Sequence, residues 1–220
     1  MRFCWVLLSK SKPISSMPDV TVSDILDMGL DLDNKTQQNL MDYLILIDKW
    51  NKVYNLTAIR DMEQMVTVHL LDSLAVLPHL WPGNWLDVGC GAGLPGLILA
   101  IARPDWQFTL VDSNSKKTSF VQQVVIQLAL KNVKVQCVRI EGMQSEQRYE
   151  GIISRAFAET TDFVRMTRHL LAENGRWAAM KGAPEEELKR LPGDVDVERI
   201  IPLKVAGLNA ARCLVILKAR

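Results

Sequence analysis

The fold is decided by the stretch Asn84-Trp85-Leu86-Asp87-Val88-Gly89-Cys90-Gly91-Ala92-Gly93-Leu94-Pro95-Gly96. Its first residues are mostly apolar, which predicts a short buried β-strand. Gly89, Gly91 and Gly93 follow at alternate positions and let the backbone turn sharply and approach a ligand, because glycine has no Cβ. Pro95 suits the first turn of a helix, and the apolar residues 97–102 predict that this helix is buried against the sheet. A strand, a glycine turn and a helix N-terminus in this order are typical of a nucleotide-type cofactor site.

The composition predicts a folded globular protein: of 220 residues, 48% are apolar and 23% are charged. The formal net charge of +1 gives no strong non-specific attraction to nucleic acid, so any RNA contact must come from a local basic patch. Four cysteines (Cys4, Cys90, Cys137 and Cys213) stand far apart without metal-ligand spacing, and no metal site is predicted. The last three fall in predicted core elements, so we expect buried thiols.

The N-terminus carries a short apolar run at residues 3–8. This run is shorter than the roughly 7–15 residues of a signal-peptide core. No stretch of the chain approaches the roughly 20 apolar residues of a membrane span. We therefore expect a cytoplasmic protein. Residues 9–16 are polar and lack periodicity, which makes Met17 a candidate start.

Before the glycine turn, the apolar spacing predicts helices. Steps of three and four residues between apolar side chains indicate three amphipathic segments, at 21–29, 35–55 and about 62–80. Together they predict a small helical cap over residues 17–82, preceded by an unmatched extension at 1–16. Residues 83–220 then form the second unit.

After the glycine turn, strands and helices alternate. We expect strands at 108–111, 133–138, 151–153 and 176–180, with helices or helical turns at 115–130, 161–171 and 184–191. This βαβ series predicts a parallel, doubly wound sheet with helices on both faces. Two further strands, at 199–205 and 213–218, are joined only by a loop, which predicts an antiparallel hairpin at one edge of the sheet. The fold class is therefore α/β.

The glycine turn is compatible with two cofactors. The segment GAGLPG at 91–96 satisfies the dinucleotide fingerprint, with Asp112 about 20 residues further on. Counted from Gly89, however, directly after the strand, the third glycine would stand at position 94, where the chain has Leu94. A third interpretation is that the glycines serve only tight packing.

Asp87 distinguishes the two cofactors more sharply. It lies two residues before the first glycine, so a pyrophosphate in the turn would face its carboxylate. S-adenosylmethionine instead carries an ammonium and a sulfonium, which a nearby carboxylate attracts. Asp112, at the end of the second strand, would accept hydrogen bonds from the ribose hydroxyls of either cofactor. The residues favour S-adenosylmethionine, and a dinucleotide-binding module is the alternative.

Several blocks of sequence resemble one known family. They are WNKVYNLTAIR at 50–60, HLLDS at 69–73, the stretch 87–96, VDS at 111–113, SRAFA at 154–158 and MKG at 180–182. In their order they are similar to the ribosomal small-subunit methyltransferase G family, also called glucose-inhibited division protein B. The resemblance runs from about residue 17 to the C-terminus. It implies a Rossmann-like class I S-adenosylmethionine-dependent methyltransferase fold.

The same resemblance implies a reaction and a partner. Members of the family transfer a methyl group to N7 of a guanine in the 530 loop of bacterial 16S rRNA. The expected substrate is the small ribosomal subunit or its assembly intermediate, and we expect a monomer. Carried over by position, the backbone of Gly89 and Leu94 should line the cofactor, Ile140 and Glu141 should border its adenine ring, and Arg155 should lie at the mouth of the pocket.

The absence of two sequence features helps to identify the atom that accepts the methyl group. After the fourth strand the chain reads ISRAF at 153–157, without the Asn/Asp-Pro-Pro-aromatic turn that holds an exocyclic amine and without a nucleophilic cysteine. N7 of guanine has an in-plane lone pair and no hydrogen, so its methylation requires no general base. Catalysis then depends on orientation, and we assign no acid or base residue. A small-molecule methyltransferase is the alternative enzyme.

The O6 atom of guanine lies beside N7 and is usually bound by a cation. Arg155 or Lys181 is the predicted partner. The alternative for Lys181 is a surface lysine, and for Arg155 an ion pair with Glu150 or Glu159.

Three more residues are predicted to bind the substrate. Arg212 is expected to contact phosphate, although the preceding residues 209–211 depart from the family pattern. His69 is equally compatible with a structural role beside Asp72, three positions on. Asn55 is equally compatible with helix capping. The tryptophans are expected in the core.

Overall fold

The helical cap comes first in the chain. The computed structural model describes residues 19–220, beginning with the helices α1 (Asp19–Asp27) and α2 (Asn34–Tyr54). Helix α3 (Met62–Met65) continues through a π-helical segment (Val66–Leu71) into α4 (Asp72–Leu74), and a 3₁₀ turn follows at Leu77–His79. Helix α2 begins where Asp33 accepts a hydrogen bond from the Thr36 N–H. It ends at Asn55, which adopts the left-handed conformation with φ 50°.

A seven-stranded sheet and the helices between its strands make up the rest of the described chain. Its strands are β1 (Asn84–Val88), β2 (Gln107–Asp112), β3 (Val133–Cys137), β4 (Tyr149–Arg155), β5 (Leu171–Lys181), β6 (Val195–Pro202) and β7 (Cys213–Ala219). The strand order is β3-β2-β1-β4-β5-β7-β6. The first five strands are parallel, and β7 is antiparallel to both β5 and β6. The predicted doubly wound sheet with an antiparallel edge hairpin is confirmed.

Helices lie between most of the consecutive strands. They are α5 (Gly96–Ala102), α6 (Ser115–Gln127), α7 (Thr160–Thr167) and α8 (Glu185–Leu188), with 3₁₀ turns at Ile140–Gly142 and Arg168–Leu170. Strands β3 and β4 are joined by one such turn and a loop instead of a longer helix.

The two faces of the sheet have separate cores, because side chains alternate along each strand. In β1, Trp85 packs with the cap and with α5 and α6 on one face. Leu86 and Val88 pack with α7 on the other face, around Phe163 and Trp177. Every residue of β1 after the first is buried, as the continuous apolar run predicts.

Three expectations from the sequence were wrong in detail. The third helix is interrupted by the π-helical segment and ends at Leu74. Strand β5 begins at Leu171, five residues before the apolar run 176–180, because its first residue already pairs with Tyr149 of β4. Strand β6 is displaced towards the N-terminus of its predicted range 199–205, since its pairing with β7 starts at Val195.

Of the three cysteines in the described residues, one departs from expectation. Cys90 and Cys213 are buried, but Cys137 is exposed because it ends β3, the strand at the sheet edge. Cys4 lies outside the described residues. The expectation for the tryptophans holds for Trp85 and Trp177, which are fully buried.

Candidate cofactor and substrate site

The ends of the parallel strands bring the predicted residues to one edge of the sheet. Asp112, Arg155 and Lys181 are the last residues of β2, β4 and β5. Strand β7 runs in the opposite direction, and its first residue, Cys213, pairs with Lys181. Arg212, directly before β7, therefore lies at the same edge. In open α/β sheets ligands bind outside the carboxyl ends of the strands, so this edge is the candidate site.

The glycine turn closes over the end of β1. Gly89 has φ 68°, a left-handed conformation that favours glycine. Its N–H and that of Cys90 both donate to the carbonyl oxygen of Val111 in β2. A Cβ on Gly89 would lie 2.5 Å from Cδ2 of Phe157, which follows β4. Glycine is required here because an aromatic ring packs directly on the backbone.

Asp87 lies beneath the turn. Its side chain is 0% exposed, and Oδ2 accepts a hydrogen bond of 2.8 Å from the N–H of Gly96 at the start of α5. The other oxygen, Oδ1, is buried without a hydrogen-bond partner in the described chain. Burial raises the pKa of Asp87 from 3.8 to about 7, against the opposing influence of the Gly96 N–H and the Arg155 charge.

Asp112 connects the end of β2 to the same turn. Its Oδ2 accepts a hydrogen bond of 2.9 Å from the Gly91 N–H, and its Oδ1 accepts one of 2.8 Å from Asn114. An ionised carboxylate offers about four acceptor positions, so two stay available to an incoming hydroxyl pair. The side chain is partly exposed.

A cleft of about 410 Å³ opens beside Asp112. That volume lies in the range of small-molecule and cofactor sites. Its lining includes Gly89, Lys117, Asp112, Ile140, Glu141 and Phe157.

The structure separates the predicted cofactor residues into two groups. Gly89, Asp112, Ile140 and Glu141 face the cleft, whereas Leu94 is buried in the turn. Gly91 donates to Asp112, and Gly93 packs so closely on Leu97 that a Cβ would lie 2.4 Å from Cδ1 of that side chain.

A larger hollow of about 860 Å³ lies near Asn84 and Gln107, the first residues of β1 and β2. It is therefore at the opposite edge of the sheet from the carboxylates. Size alone does not identify the site, because the larger hollow is not lined by Asp112 or by the glycine turn.

Arg155 contacts the cap. Its Nη1 lies 3.0 Å from Oδ2 of Asp72 and 2.8 Å from the carbonyl oxygen of Val68, in the π-helical segment. The alternative interpretation, an ion pair with Glu150 or Glu159, was wrong in its partner, which is Asp72. Glu150 instead accepts from the N–H of Asn84 and Glu159 pairs with Arg190. The partner of Arg155 is 83 residues away in the chain, so no local spacing indicates it.

Lys181 is also held by the protein. Its Nζ donates to the carbonyl oxygen of Ala158 at 2.8 Å and to Oε2 of Glu187 at 2.6 Å. Its side chain is mostly buried, unlike the surface lysine of the alternative interpretation. Oε2 of Glu187 also accepts from the N–H and hydroxyl of Thr160. These contacts fix the loop after β4, which carries Phe157.

His69 and Asn55 both make contacts within the protein. His69 is 4% exposed, and its Nε2 lies 3.0 Å from the hydroxyl oxygen of Thr57. Burial, followed by the Arg155 charge, lowers the pKa of His69 to about 4, so the ring is neutral at pH 7. Asn55 is exposed, ends α2 and accepts a hydrogen bond from Arg60.

Sequence reasoning missed a contact between cap and turn. The hydroxyl of Tyr43 in α2 donates to the carbonyl oxygen of Ala92 at 2.7 Å, and both residues are buried. Asn51, also buried, donates to Ile59 and accepts from the Thr57 N–H. Only the position of Tyr43 on the apolar stripe of α2 hinted at its burial. The hydrogen-bond partner lies 49 residues away.

A family model described as rRNA small subunit methyltransferase G matches residues 36–215. The chain belongs to this family. It is 51% identical over 197 residues to the ribosomal RNA small subunit methyltransferase G of Laribacter hongkongensis, with 89% of this chain and 95% of the relative covered. The relative of the same name from Neisseria meningitidis serogroup B is 53% identical over 198 residues, with the same coverage.

Solved structures agree on the fold. The glycopeptide N-methyltransferase MtfA, in complex with S-adenosylmethionine, superposes with a TM-score of 0.58 at 10% identity, covering 69% of this chain and 87% of that one. The protein has the Rossmann-like fold of the class I methyltransferases.

The cleft and the buried Asp87 beneath the glycine turn together fit S-adenosylmethionine. The buried and unpartnered Oδ1 of Asp87 suits a cationic group, and Asp112 retains acceptor positions for ribose hydroxyls. A pyrophosphate usually takes the free N–H groups at the helix N-terminus, but here the Gly96 N–H already donates to Asp87. The geometry therefore disfavours the dinucleotide alternative.

Two further observations limit the chemistry of the described residues. In residues 19–220, no three His, Cys, Asp or Glu side chains are grouped so that they could hold a metal ion. In the same part of the chain, no helix combines the length and hydropathy needed to cross a membrane.

Proposed function

We propose that this protein transfers a methyl group from S-adenosylmethionine to N7 of a guanine in the 530 loop of bacterial 16S rRNA. Membership of the rRNA small subunit methyltransferase G family carries this proposal, because the match spans nearly the whole length of the relatives. The substrate is the small ribosomal subunit or an intermediate of its assembly.

The cofactor supplies an electrophilic methyl group on a sulfonium. On our proposal Asp87 attracts the cofactor ammonium, while Asp112 accepts hydrogen bonds from the ribose hydroxyls. Ile140 packs on the adenine ring, and Glu141 borders it from the same 3₁₀ turn. The glycine turn allows the close approach of backbone and cofactor.

The reaction at N7 needs alignment more than proton transfer. The N7 lone pair attacks the methyl carbon, the carbon–sulfur bond breaks, and no proton leaves the base in this step. No acid or base residue is therefore assigned. Holding the attacking atom in line with the methyl group can contribute several kcal/mol, at most about 7–11.

Arg155 is better placed than Lys181 to bind O6 of the guanine. In the described chain, Arg155 uses only Nη1 for protein contacts and retains the N–H groups of Nε and Nη2. Lys181 uses two of its three donors on Ala158 and Glu187. Lys181 then supports the loop after β4, and the target base must leave its stack to reach Arg155.

The test is methyl transfer from labelled S-adenosylmethionine to small subunits isolated without this modification. We expect label on N7 of one guanine in the 530 loop, and none on subunits that already carry the methyl group. Deproteinised 16S rRNA in a parallel reaction identifies the form of the substrate. Label at another base or atom, or transfer only to small molecules, would contradict the proposal.

We also propose the organisation in which this activity operates. The cap extends to residue 82 and the methyltransferase domain covers residues 83–220, while the extension predicted at residues 1–16 and the start of the cap at 17–18 lie outside the described residues. The protein acts as a monomer in the cytoplasm. Sedimentation of the protein with and without small subunits measures its oligomeric state, and a dimer would contradict this part.

A further inference from the structure

Asp72 connects three distant parts of the chain. It begins α4 in the cap, and its side chain is only 2% exposed. Its Oδ2 lies 3.0 Å from Nη1 of Arg155, and its Oδ1 lies 3.1 Å from Nε of Arg212. The two arginines are 83 and 140 residues away in sequence, so one carboxylate joins the cap to the end of β4 and to the start of β7.

The cluster has an excess of positive charge. One carboxylate faces two guanidinium groups, whose side chains are 19% and 27% exposed. In residues 19–220, Nη2 of Arg155 and Nη2 of Arg212 donate to no protein group, and Nε of Arg155 is likewise available. Donors that are held in place and reach solvent suit an anionic or carbonyl-bearing ligand.

Stability is a weak explanation for this cluster. Desolvation offsets much of the attraction within a buried ion pair, and apolar replacements are often as stable. The π-helical segment points to function as well, because it places the Val68 carbonyl oxygen 2.8 Å from Nη1 of Arg155. Segments of this kind are frequent at functional sites.

The cluster lies beside the cofactor site. Arg155 ends β4, and Ile153 of the same strand pairs with Asp87 of β1, so Arg155 lies at the strand end next to the glycine turn. Arg212 precedes Cys213, which pairs with Lys181 at the end of β5. Asp72 is thus on the cap side of the cleft, with Arg155 towards the cofactor and Arg212 further along the edge.

We propose that Asp72 is a positioning residue for the RNA substrate. It holds Arg155 so that its unused donors bind O6 of the target guanine, and Arg212 so that its unused donor binds a phosphate of the same RNA. This inference rests on the proposed function and adds a residue whose side chain does not itself touch the cofactor or the base.

The experiment is steady-state methylation of unmodified small subunits by the full-length Asp72→Asn and Arg212→Gln variants. We expect each variant to raise KM for the subunit about tenfold, the equivalent of one lost charge-assisted contact. The KM for S-adenosylmethionine should change less than about twofold, because the cofactor contacts are intact. Each variant should also lower the salt dependence of subunit binding by about one unit of slope.

The double variant tests whether Asp72 acts by positioning the arginines or contributes to substrate binding independently of them. If Asp72 acts through Arg212 and Arg155, the KM of Asp72→Asn/Arg212→Gln should be far below the product of the two single effects. Multiplicative effects, or a wild-type KM and salt slope in Asp72→Asn, would overturn the inference.

The matched control is Glu198→Gln. Glu198 forms a two-contact ion pair with Arg176 between β6 and β5, remote from the cleft. This control should retain wild-type KM values for both substrates. Melting temperatures are measured for all variants with and without S-adenosylhomocysteine, and only variants that the product stabilises are compared.

A second variant, Asp72→Glu, keeps the inference testable if Asp72→Asn fails to fold. Asp72→Glu keeps the charge but displaces it by one methylene group, so a folded Asp72→Glu with raised subunit KM supports the inference, and wild-type kinetics overturn it. If wild-type protein itself fails to methylate small subunits, the proposed function fails instead, whatever the variants do.

Discussion

The two halves of the site are built in different ways. In the cofactor half, the Gly96 and Gly91 N–H groups reach Asp87 and Asp112 across 9 and 21 residues of sequence. In the substrate half, Asp72 reaches its arginines across 83 and 140 residues. The first half is a local strand–turn–helix unit, whereas the second exists only when cap, β4 and β7 are assembled. Arguments from residue spacing alone are therefore confined to the first half.

The two buried carboxylates differ in the same way. Asp72 is satisfied by cations of the protein itself, one on each oxygen. Asp87 has one backbone N–H and one unpartnered oxygen. A buried acid without a cation of its own is destabilising unless a ligand supplies the charge. On our proposal, the cofactor ammonium supplies this charge.

The largest effect should come from Asp87→Asn, which removes the charge of the cofactor half. We expect the affinity for S-adenosylmethionine to fall about 100-fold, because truncating one side of a buried charge pair costs about 2–5 kcal/mol. At pH 8 the same variant should melt at a higher temperature than wild type without cofactor, since a buried charge is removed. Calorimetric titration and thermal melting measure both quantities.

The control for this variant is Asp105→Asn, at an exposed carboxylate between α5 and β2. It should bind the cofactor as wild type does. Unchanged affinity in Asp87→Asn would contradict the electrostatic contrast between the two halves.

The Gly89→Ala variant should have the next largest effect, on stability. A methyl group there meets the Phe157 ring at 2.5 Å and also imposes a left-handed alanine. Strain and overpacking together predict a loss of about 2–4 kcal/mol in the free energy of unfolding. Denaturant unfolding measures this loss.

Gly29→Ala is the matched control, because Gly29 has φ +76° but no atom within 4 Å of its Cβ position. Its free energy of unfolding should fall only by the cost of a left-handed alanine, about 1 kcal/mol. Equal losses in the two variants would show that Phe157 does not constrain the turn.

The third prediction is that ionisation of Asp87 has opposite effects on the free energy of unfolding and on the affinity for the cofactor. The folded protein binds the Asp87 proton more tightly than the unfolded chain, since the pKa rises from 3.8 to about 7. Without cofactor, this group therefore lowers the free energy of unfolding as pH rises through that interval. Cofactor affinity should increase over the upper part of the interval, up to about tenfold per pH unit, because the cofactor ammonium requires the ionised carboxylate.

Calorimetry with S-adenosylhomocysteine from about pH 5 to about pH 8 tests this dependence. The Asp87→Asn variant should lack it. An affinity that is equally pH-dependent in this variant would assign the titration to another group.

The smallest effect should come from His69→Gln. The folded protein holds His69 neutral, with its pKa lowered from 6.5 to about 4, so this group reduces stability as pH falls through that range. As pH is lowered from 6.5 to about 4, the melting temperature of the variant should fall less than that of wild type. His169→Gln, at an exposed histidine, should melt as wild type does.

His69→Gln also tests the prediction that His69 binds the substrate. Because the ring is buried against Thr57, the salt dependence of subunit binding should stay at its wild-type slope. A slope reduced by about one unit would show that His69 reaches the RNA backbone.

Much of the fold could be predicted from hydrophobic patterning. The parallel sheet with helices on both faces followed from alternating strands and helices, and the edge hairpin from the loop between the last two strands. The errors lay where tertiary contacts override local pattern. Cys137 is exposed because β3 is an edge strand, and the helix predicted at 62–80 contains a π-helical segment whose Val68 carbonyl oxygen faces Arg155.

By itself, the amino-acid sequence determined the strand, the glycine turn and the acids around it. Within such a short segment, backbone geometry sets which groups meet, so residue spacing carries the information. Only the tertiary structure decided the partners of Arg155, Arg212 and Tyr43. Those contacts form between segments that are far apart in sequence and that the sheet order and the docking of the cap bring together. The spacing of residues along the chain therefore does not predict them.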